Sequence, residues 1–140
     1  MVVVDGAGVP LGICIASAAP GETTLVDATL KTIQVPQAGG GAARRQPIRL
    51  IADRGYDSDG LRRQMAARGI TFISPYRSMR VNRPYEDHRL LRRYRHRWII
   101  ERTFAWLASF RRLTVRYERD PRLYLALFHL AAALIALRRF

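Results

Sequence analysis

The spacing of apolar residues changes several times along this chain, and each change marks an element. "VVV" (2–4) and "PLGICIAS" (10–17) are short apolar runs on either side of Asp5-Gly6, a pair that favours a tight turn, so they predict a β-hairpin. In "TTLVDATLKTI" (23–33), Leu25, Val26, Leu30 and Ile33 fall at helical spacing, and Thr24 with Asp27 offers a capping box at the start. The stretch 36–47 is rich in Gly, Pro and Arg, has no buried periodicity, and reads as a loop. "IRLIAD" (48–53) is a short apolar strand ending in an acid. "RGY" then turns the chain into a helix over 58–69, capped by Ser58 or Asp57 and stopped by Gly69. "ITFIS" (70–74) is a further strand, 75–87 a basic loop, and 88–112 one long helix that passes from basic to aromatic. Asp120-Pro121 opens the apolar C-terminal helix, with Pro121 in its first turn.

The order β-β-α-β-α-β-α-α, a hairpin followed by strands alternating with helices, indicates an α/β sheet of mixed direction. Ligands of such sheets lie beyond the carboxyl ends of the parallel strands. No internal repeat or domain boundary stands out, so the 140 residues read as one unit.

Charge narrows the partner. The chain carries 24 Lys+Arg against 11 Asp+Glu, a formal +13, and Lys31 is its one lysine. Arginine presents a planar fork of donors suited to phosphate, so the balance points to nucleic acid, an anionic membrane surface or an acidic protein. The N-terminus has no basic segment ahead of an apolar run and is no signal peptide. The apolar run 123–137 contains His129 and falls short of the roughly 18–20 residues that span a bilayer, so it reads as a buried helix. Cys14 stands alone, which excludes an intrachain disulfide and a cysteine-rich zinc site and fits a reducing cytosol. His88, His96 and His129 are scattered, with no metal-ligand spacing; His129 reads as a core or helix-contact residue.

Two acids carry the chemistry. Asp53 ends its strand before a Gly turn, where a side chain can project into a crevice; a turn or N-cap role is the alternative. Glu101 shares its helix face with Arg97, Trp98, Phe104 and Ala105, an unexpected place for a carboxylate. An ion pair with Arg97 or Arg102 would satisfy it. Alternatively it faces the crevice and shares a divalent metal with Asp53, since hard cations take carboxylate and phosphate oxygens. Two such ions can assist both the attacking and the leaving oxygen of a phosphodiester.

"IADRGYDSDGLR" followed by "YRHRWIIERTFAWLASFRRLTVRYERD" resembles the catalytic part of bacterial insertion-sequence transposases, the IS-five-like branch of the DDE transposases. The resemblance runs from "VDGAGVPLG" to the apolar tail. It implies a ribonuclease H-like mixed sheet flanked by helices, with Asp, Asp and Glu holding two Mg²⁺ ions (Mn²⁺ as substitute). Water then cuts the element ends and the freed 3′-hydroxyl attacks target DNA. Residue by residue, it places the second Asp on Asp53 and the Glu on Glu101. The related IS-four-like signature is kept at Tyr94, Arg97 and Glu101, while Ala108 stands at its Lys position; Arg93, Arg111 and Arg112 are neighbouring candidates for DNA contact.

The family's first acid lies on a central first strand ahead of the hairpin, and no residue here matches it. Asp5 falls instead in the hairpin turn. The expectation is therefore an incomplete domain over 1–140, lacking the central first strand and inactive alone: either the product of a second reading frame or a decayed copy. Its partners would be double-stranded DNA and an upstream-frame part or full-length transposase, with no membrane, in the bacterial cytoplasm at the nucleoid. The rival reading is a non-catalytic basic DNA-binding fragment or a transposase-inhibiting one. Arg44, Arg45, Arg77, Arg80, Arg83, Arg92, Arg93 and Arg95 are candidate phosphate contacts, and Tyr76 and Tyr85 either stack on frayed bases or pack. No helix-turn-helix is visible.

Overall fold

In a computed structural model, described here over residues 1–17, 19, 21–37, 39, 41–83 and 87–139, the chain is a mixed α/β protein. Strands β1 (Val2–Val4) and β2 (Pro10–Ile13) form the antiparallel hairpin, with Val2 opposite Ile13 and Val3 opposite Gly12 and a register shift after Val3. Asp5 sits in the turn, where its Oδ1 accepts the backbone N–H groups of Ala7 and Val9, both at 2.8 Å. Helix α1 (Leu25–Lys31) leads to β3 (Arg49–Ile51); α2 (Asp59–Ala67) then returns the chain to β4 (Thr71–Ile73), which lies parallel to β3 with Leu50 opposite Phe72. The strands are shorter than the apolar runs that encode them. Among the described residues the hairpin and the parallel pair are two separate two-stranded sheets, where the pattern had suggested one mixed sheet.

Packing rather than a shared ladder joins them. Val26, Leu30, Ile33, Leu61, Met65 and Ile70 form one buried cluster, covered by Val3 from the hairpin and by Leu50 and Phe72 from the parallel pair. Alternation along the hairpin sends Val2 and Ile13 the other way, into a second cluster with Leu107, Phe128, Ala131 and Ile135. Leu30 and Met65 are fully buried, and truncating either to Ala removes about 2–5 kcal/mol.

Local signals set several helix ends. Ser58 caps α2, its Oγ accepting the Leu61 N–H at 3.4 Å, and Gly69 beyond the helix takes the left-handed φ of +70° that stops it. Asp120 caps α6 (Pro121–Leu137) by accepting the Arg122 N–H at 2.8 Å. The Thr24–Asp27 capping box does not form. A 3-10 turn at Glu22–Thr24 precedes α1, so Thr24 already has helical dihedrals and its hydroxyl donates back to the Gly21 carbonyl at 2.6 Å. Asp27 instead pairs with Lys31 at 2.7 Å and Arg68 at 2.5 Å.

The single helix expected over 88–112 is in fact segmented: α3 (His88–Leu91), a 3-10 segment (Arg92–Arg97), α4 (Trp98–Ala108) and α5 (Arg111–Thr114). At the break after α4, the Ser109 hydroxyl donates to the Trp106 carbonyl at 2.7 Å, competing with the backbone for that acceptor. His129, read as a core or helix-contact residue, is exposed on α6. Among the described residues no helix is long and apolar enough to cross a membrane.

Candidate active site

Asp53 stands two residues past the end of β3, where the chain leaves the parallel pair. Its backbone is extended, and its carbonyl accepts the hydroxyl of Ser74 from the end of β4 at 2.7 Å, which ties the two carboxyl-terminal strand ends together. The side chain caps the 3-10 turn Arg54–Tyr56, Oδ1 accepting the Gly55 N–H at 2.7 Å. The turn-capping role is thus real, and it uses one carboxylate oxygen. Oδ2 has no hydrogen bond among the described residues, and Asp53 is exposed. Burial pushes the Tyr56 phenol far above its ordinary range, and the negative charges of Glu22 and then Asp53 push it the same way.

Asp57, which the sequence offered only as a cap, is the buried anchor of this turn, its side chain 2% exposed. Oδ1 accepts from Arg62 and Arg80, each at 3.0 Å, and Oδ2 from the Arg77 N–H at 2.9 Å. Burial raises its pKa, but the Arg77 N–H and the two guanidinium groups outweigh that, and the carboxyl ends below its usual range. The sequence signal was present but spread out: two acids, Asp57 and Asp59, pair with Arg62 on the following helix and with Arg80 beyond the next strand.

Three arginines read as phosphate contacts are occupied within the protein. Arg77 donates to the carbonyls of Arg54 (3.3 Å) and Gly55 (2.8 Å), Arg80 pairs with Asp57 and Asp59, and Arg83 donates to the carbonyls of Arg80 (3.1 Å) and Ser78 (2.8 Å). Tyr76 is buried with the guanidinium groups of Arg62 and Arg80 over its ring at 4.5 and 4.7 Å, so packing is its role. Tyr85 lies outside the described residues. Arg44, Arg45, Arg92, Arg93 and Arg95 are exposed.

Glu101 lies in the first turn of α4 and is exposed, its Oε1 2.6 Å from Nη1 of Arg97, whose guanidinium lies 5.9 Å from the Tyr94 ring. The expected burial of its aromatic neighbours against a sheet is not what forms. Trp98 and Phe104 are each half exposed, while Thr103 and Leu107 are buried. A helix turns about 100° per residue, so Thr103 lies nearly opposite Glu101, and burying one exposes the other. The Thr103 hydroxyl donates to the Gly8 carbonyl at 2.8 Å, and Arg102 donates to the Ala7 carbonyl at 2.8 Å with Trp98 and Trp106 each 4.7 Å from its guanidinium. The hairpin turn therefore grips α4 on the side away from Glu101.

Tyr94, Arg97 and Glu101 are thus brought together, and the segment Arg92–Arg97 that precedes Glu101 packs beside β3, the strand that leads to Asp53. Arg111 and Arg112 are exposed on α5, with Arg112 3.5 Å from Glu118. Among the described residues each acid keeps a carboxylate oxygen with no partner, and such hard oxygens are what a divalent cation takes. Among the described residues no group of three or more His, Cys, Asp or Glu is gathered to hold a metal.

Comparison with known proteins adds a family. A protein-family model described as the transposase DDE domain matches residues 1–136. The chain is 34% identical over 134 residues to a Burkholderia cepacia protein assigned as the transposase for insertion sequence element IS402; the match covers 96% of this chain and 60% of that relative. No solved structure matches the chain significantly.

Proposed function

This chain belongs to the transposase DDE-domain family, and we propose that it contributes Asp53 and Glu101 to metal-dependent cleavage and strand transfer of DNA at insertion-sequence ends. The observation that carries this reading is the packing of Arg92–Arg97 against β3, since Asp53 follows β3 within two residues and Glu101 follows that segment within four. In this reading the frame is ribonuclease H-like, and an acid from outside the residues described here completes the set.

Members of this family generally use divalent metal ions. Asp53 and Glu101 would hold Mg²⁺ or Mn²⁺, which supplies charge stabilisation to the attacking and leaving oxygens of a phosphodiester. The chain's own residues do the positioning. The Gly55 N–H fixes one oxygen of Asp53 and leaves the other outward. Arg97 orients Glu101 through their ion pair, and its remaining donors suit a phosphate. Exposed Arg92, Arg93 and Arg95, with Arg111 and Arg112, hold the DNA backbone against the site.

Manganese binding to the purified chain, followed by the loss of the free-ion paramagnetic resonance signal, tests the reading. Asp53→Ala and Glu101→Ala should each weaken binding. Binding indifferent to both substitutions, together with DNA affinity indifferent to Mg²⁺, would replace it with a non-catalytic DNA-binding role.

A further inference from the structure

Helix α6 is apolar on both sides, and the described residues cover only one of them. Phe128, Ala131 and Ile135 pack into the cluster that holds Leu107 of α4 and Ile13 of the hairpin. On the opposite side Leu123 is 59% exposed, Leu130 59%, Leu134 38% and Leu137 74%, with Ala126 and Ala133 exposed between them. Leu123, Leu130 and Leu137 recur every seven residues, the period of a helix-on-helix seam. At about 100° per residue the stripe stays within about 60° of Leu130, and no charged side chain interrupts it between Arg122 and Arg138. Exposed and continuous over four turns, it adds nothing to the core, and a patch of this kind marks a contact surface.

We propose that this stripe pairs with the same stripe of a second copy of the chain, α6 antiparallel to α6 about a two-fold axis at Leu130. The stripe is complementary to its own reverse. Turned about Leu130, it sets Leu123 opposite Leu137 of the second copy, Ala126 opposite Leu134, Leu127 opposite Ala133 and Leu130 opposite itself. Each alanine then meets a leucine, the large-against-small alternation that lets facing layers interlock. A parallel pair sets alanine against alanine and leucine against leucine, which leaves gaps and crowding in turn. Antiparallel pairing also brings Arg138 of one copy to the Asp120–Arg122 ion pair of the other, whereas parallel pairing gathers Arg138 and Arg139 of both copies at one end. Each copy carries a formal +13, so the copies repel at low salt and pair more tightly as salt screens that charge, the opposite of DNA binding. The seam uses neither Asp53 nor Glu101 and stands whatever their role.

Sedimentation velocity of the full chain without DNA, over a range of concentrations at low and high salt, tests the seam. Wild type should pass from monomer to dimer as concentration rises, and at lower concentration in high salt. Leu130→Lys, on the axis, should weaken association at least about 100-fold, because each dimer loses two buried leucines. Ala126→Leu/Ala133→Leu separates a matched seam from an unspecific apolar patch: overfilling should weaken the dimer, and a gain in association overturns the pairing. All three substituted positions are exposed, so both variants should keep the wild-type circular dichroism. A chain that stays monomeric in high salt, a dimer indifferent to Leu130→Lys, or association that falls as salt rises also overturns it. Monomers that bind vesicles of phosphatidylcholine and phosphatidylglycerol, and lose that binding in Leu130→Lys, assign the stripe to a lipid surface and overturn it likewise.

Discussion

The Thr103 hydroxyl donates to the Gly8 carbonyl at 2.8 Å, joining residues 95 positions apart in the chain. This bond sets the rotation of α4 about its axis. It buries Thr103 against the hairpin turn and presents Glu101 on the opposite side. Gly8 has φ of +87°, and a Cβ there would lie 2.9 Å from the Thr103 oxygen and 3.2 Å from the Trp106 ring.

Gly8→Ala is expected to destabilise the protein by about 2–4 kcal/mol, combining a left-handed backbone with overpacking. Thr103→Val keeps the shape but leaves the Gly8 carbonyl without its donor, at a cost of about 1–3 kcal/mol. Urea unfolding followed by Trp98 and Trp106 fluorescence measures both. If Thr103→Val is as stable as wild type, the latch does not hold α4.

Asp57→Ala should be among the most damaging single changes near the site, at about 3 kcal/mol, because it removes the buried acceptor that Arg62, Arg80 and the Arg77 N–H share. Its effect should propagate to the Asp53 turn, which Arg77 holds by its two hydrogen bonds while its own N–H is fixed by Asp57. Hydrogen exchange at the Gly55 amide reports that turn directly. Faster exchange in the variant is expected, and unchanged protection would sever Asp57 from Asp53.

Acid should destabilise the fold through particular carboxylates. Asp27 is held below its usual range, first by the Lys31 hydrogen bond and also by Arg68, while Asp57 is lowered by the Arg77 N–H and by Arg62 and Arg80 against its burial. Their depressed folded values mean that this stability is complete above the unfolded pKa of about 3.9 and is lost as pH falls through the folded values. The urea midpoint should therefore fall on acidification below about pH 4. Asp57→Asn should flatten that fall, and an equally steep fall in the variant would point to other groups.

Neutralising Arg92, Arg93 and Arg95 to Gln should weaken DNA binding across sequences alike. The slope of log affinity against log salt should shrink by about 0.9 for each arginine that meets a phosphate. Arg77→Gln, whose side chain is spent on the Arg54 and Gly55 carbonyls, should leave that slope in place. A slope reduced by Arg77→Gln and untouched by the triple variant would reverse the assignment.

Sequence by itself determined what depends on a few neighbouring residues. Asp5-Gly6 made the hairpin turn, Ser58 and Gly69 bounded α2, and Asp120-Pro121 opened α6. The stretches around Asp53 and Glu101 carried the resemblance to the transposase family, which the family match then showed. Tertiary structure decided what depends on distant partners. It broke the expected long helix, turned Trp98 and Phe104 outward, engaged Arg77 and Arg80 with the protein's own carbonyls and acids, and made Asp57 the anchor beneath Asp53. The physical reason is that a cap or turn is settled by hydrogen bonds within about one helical turn of chain. Which face of α4 is buried, and which arginine finds an acid, depends on contacts 20 to 95 residues apart that no local period encodes.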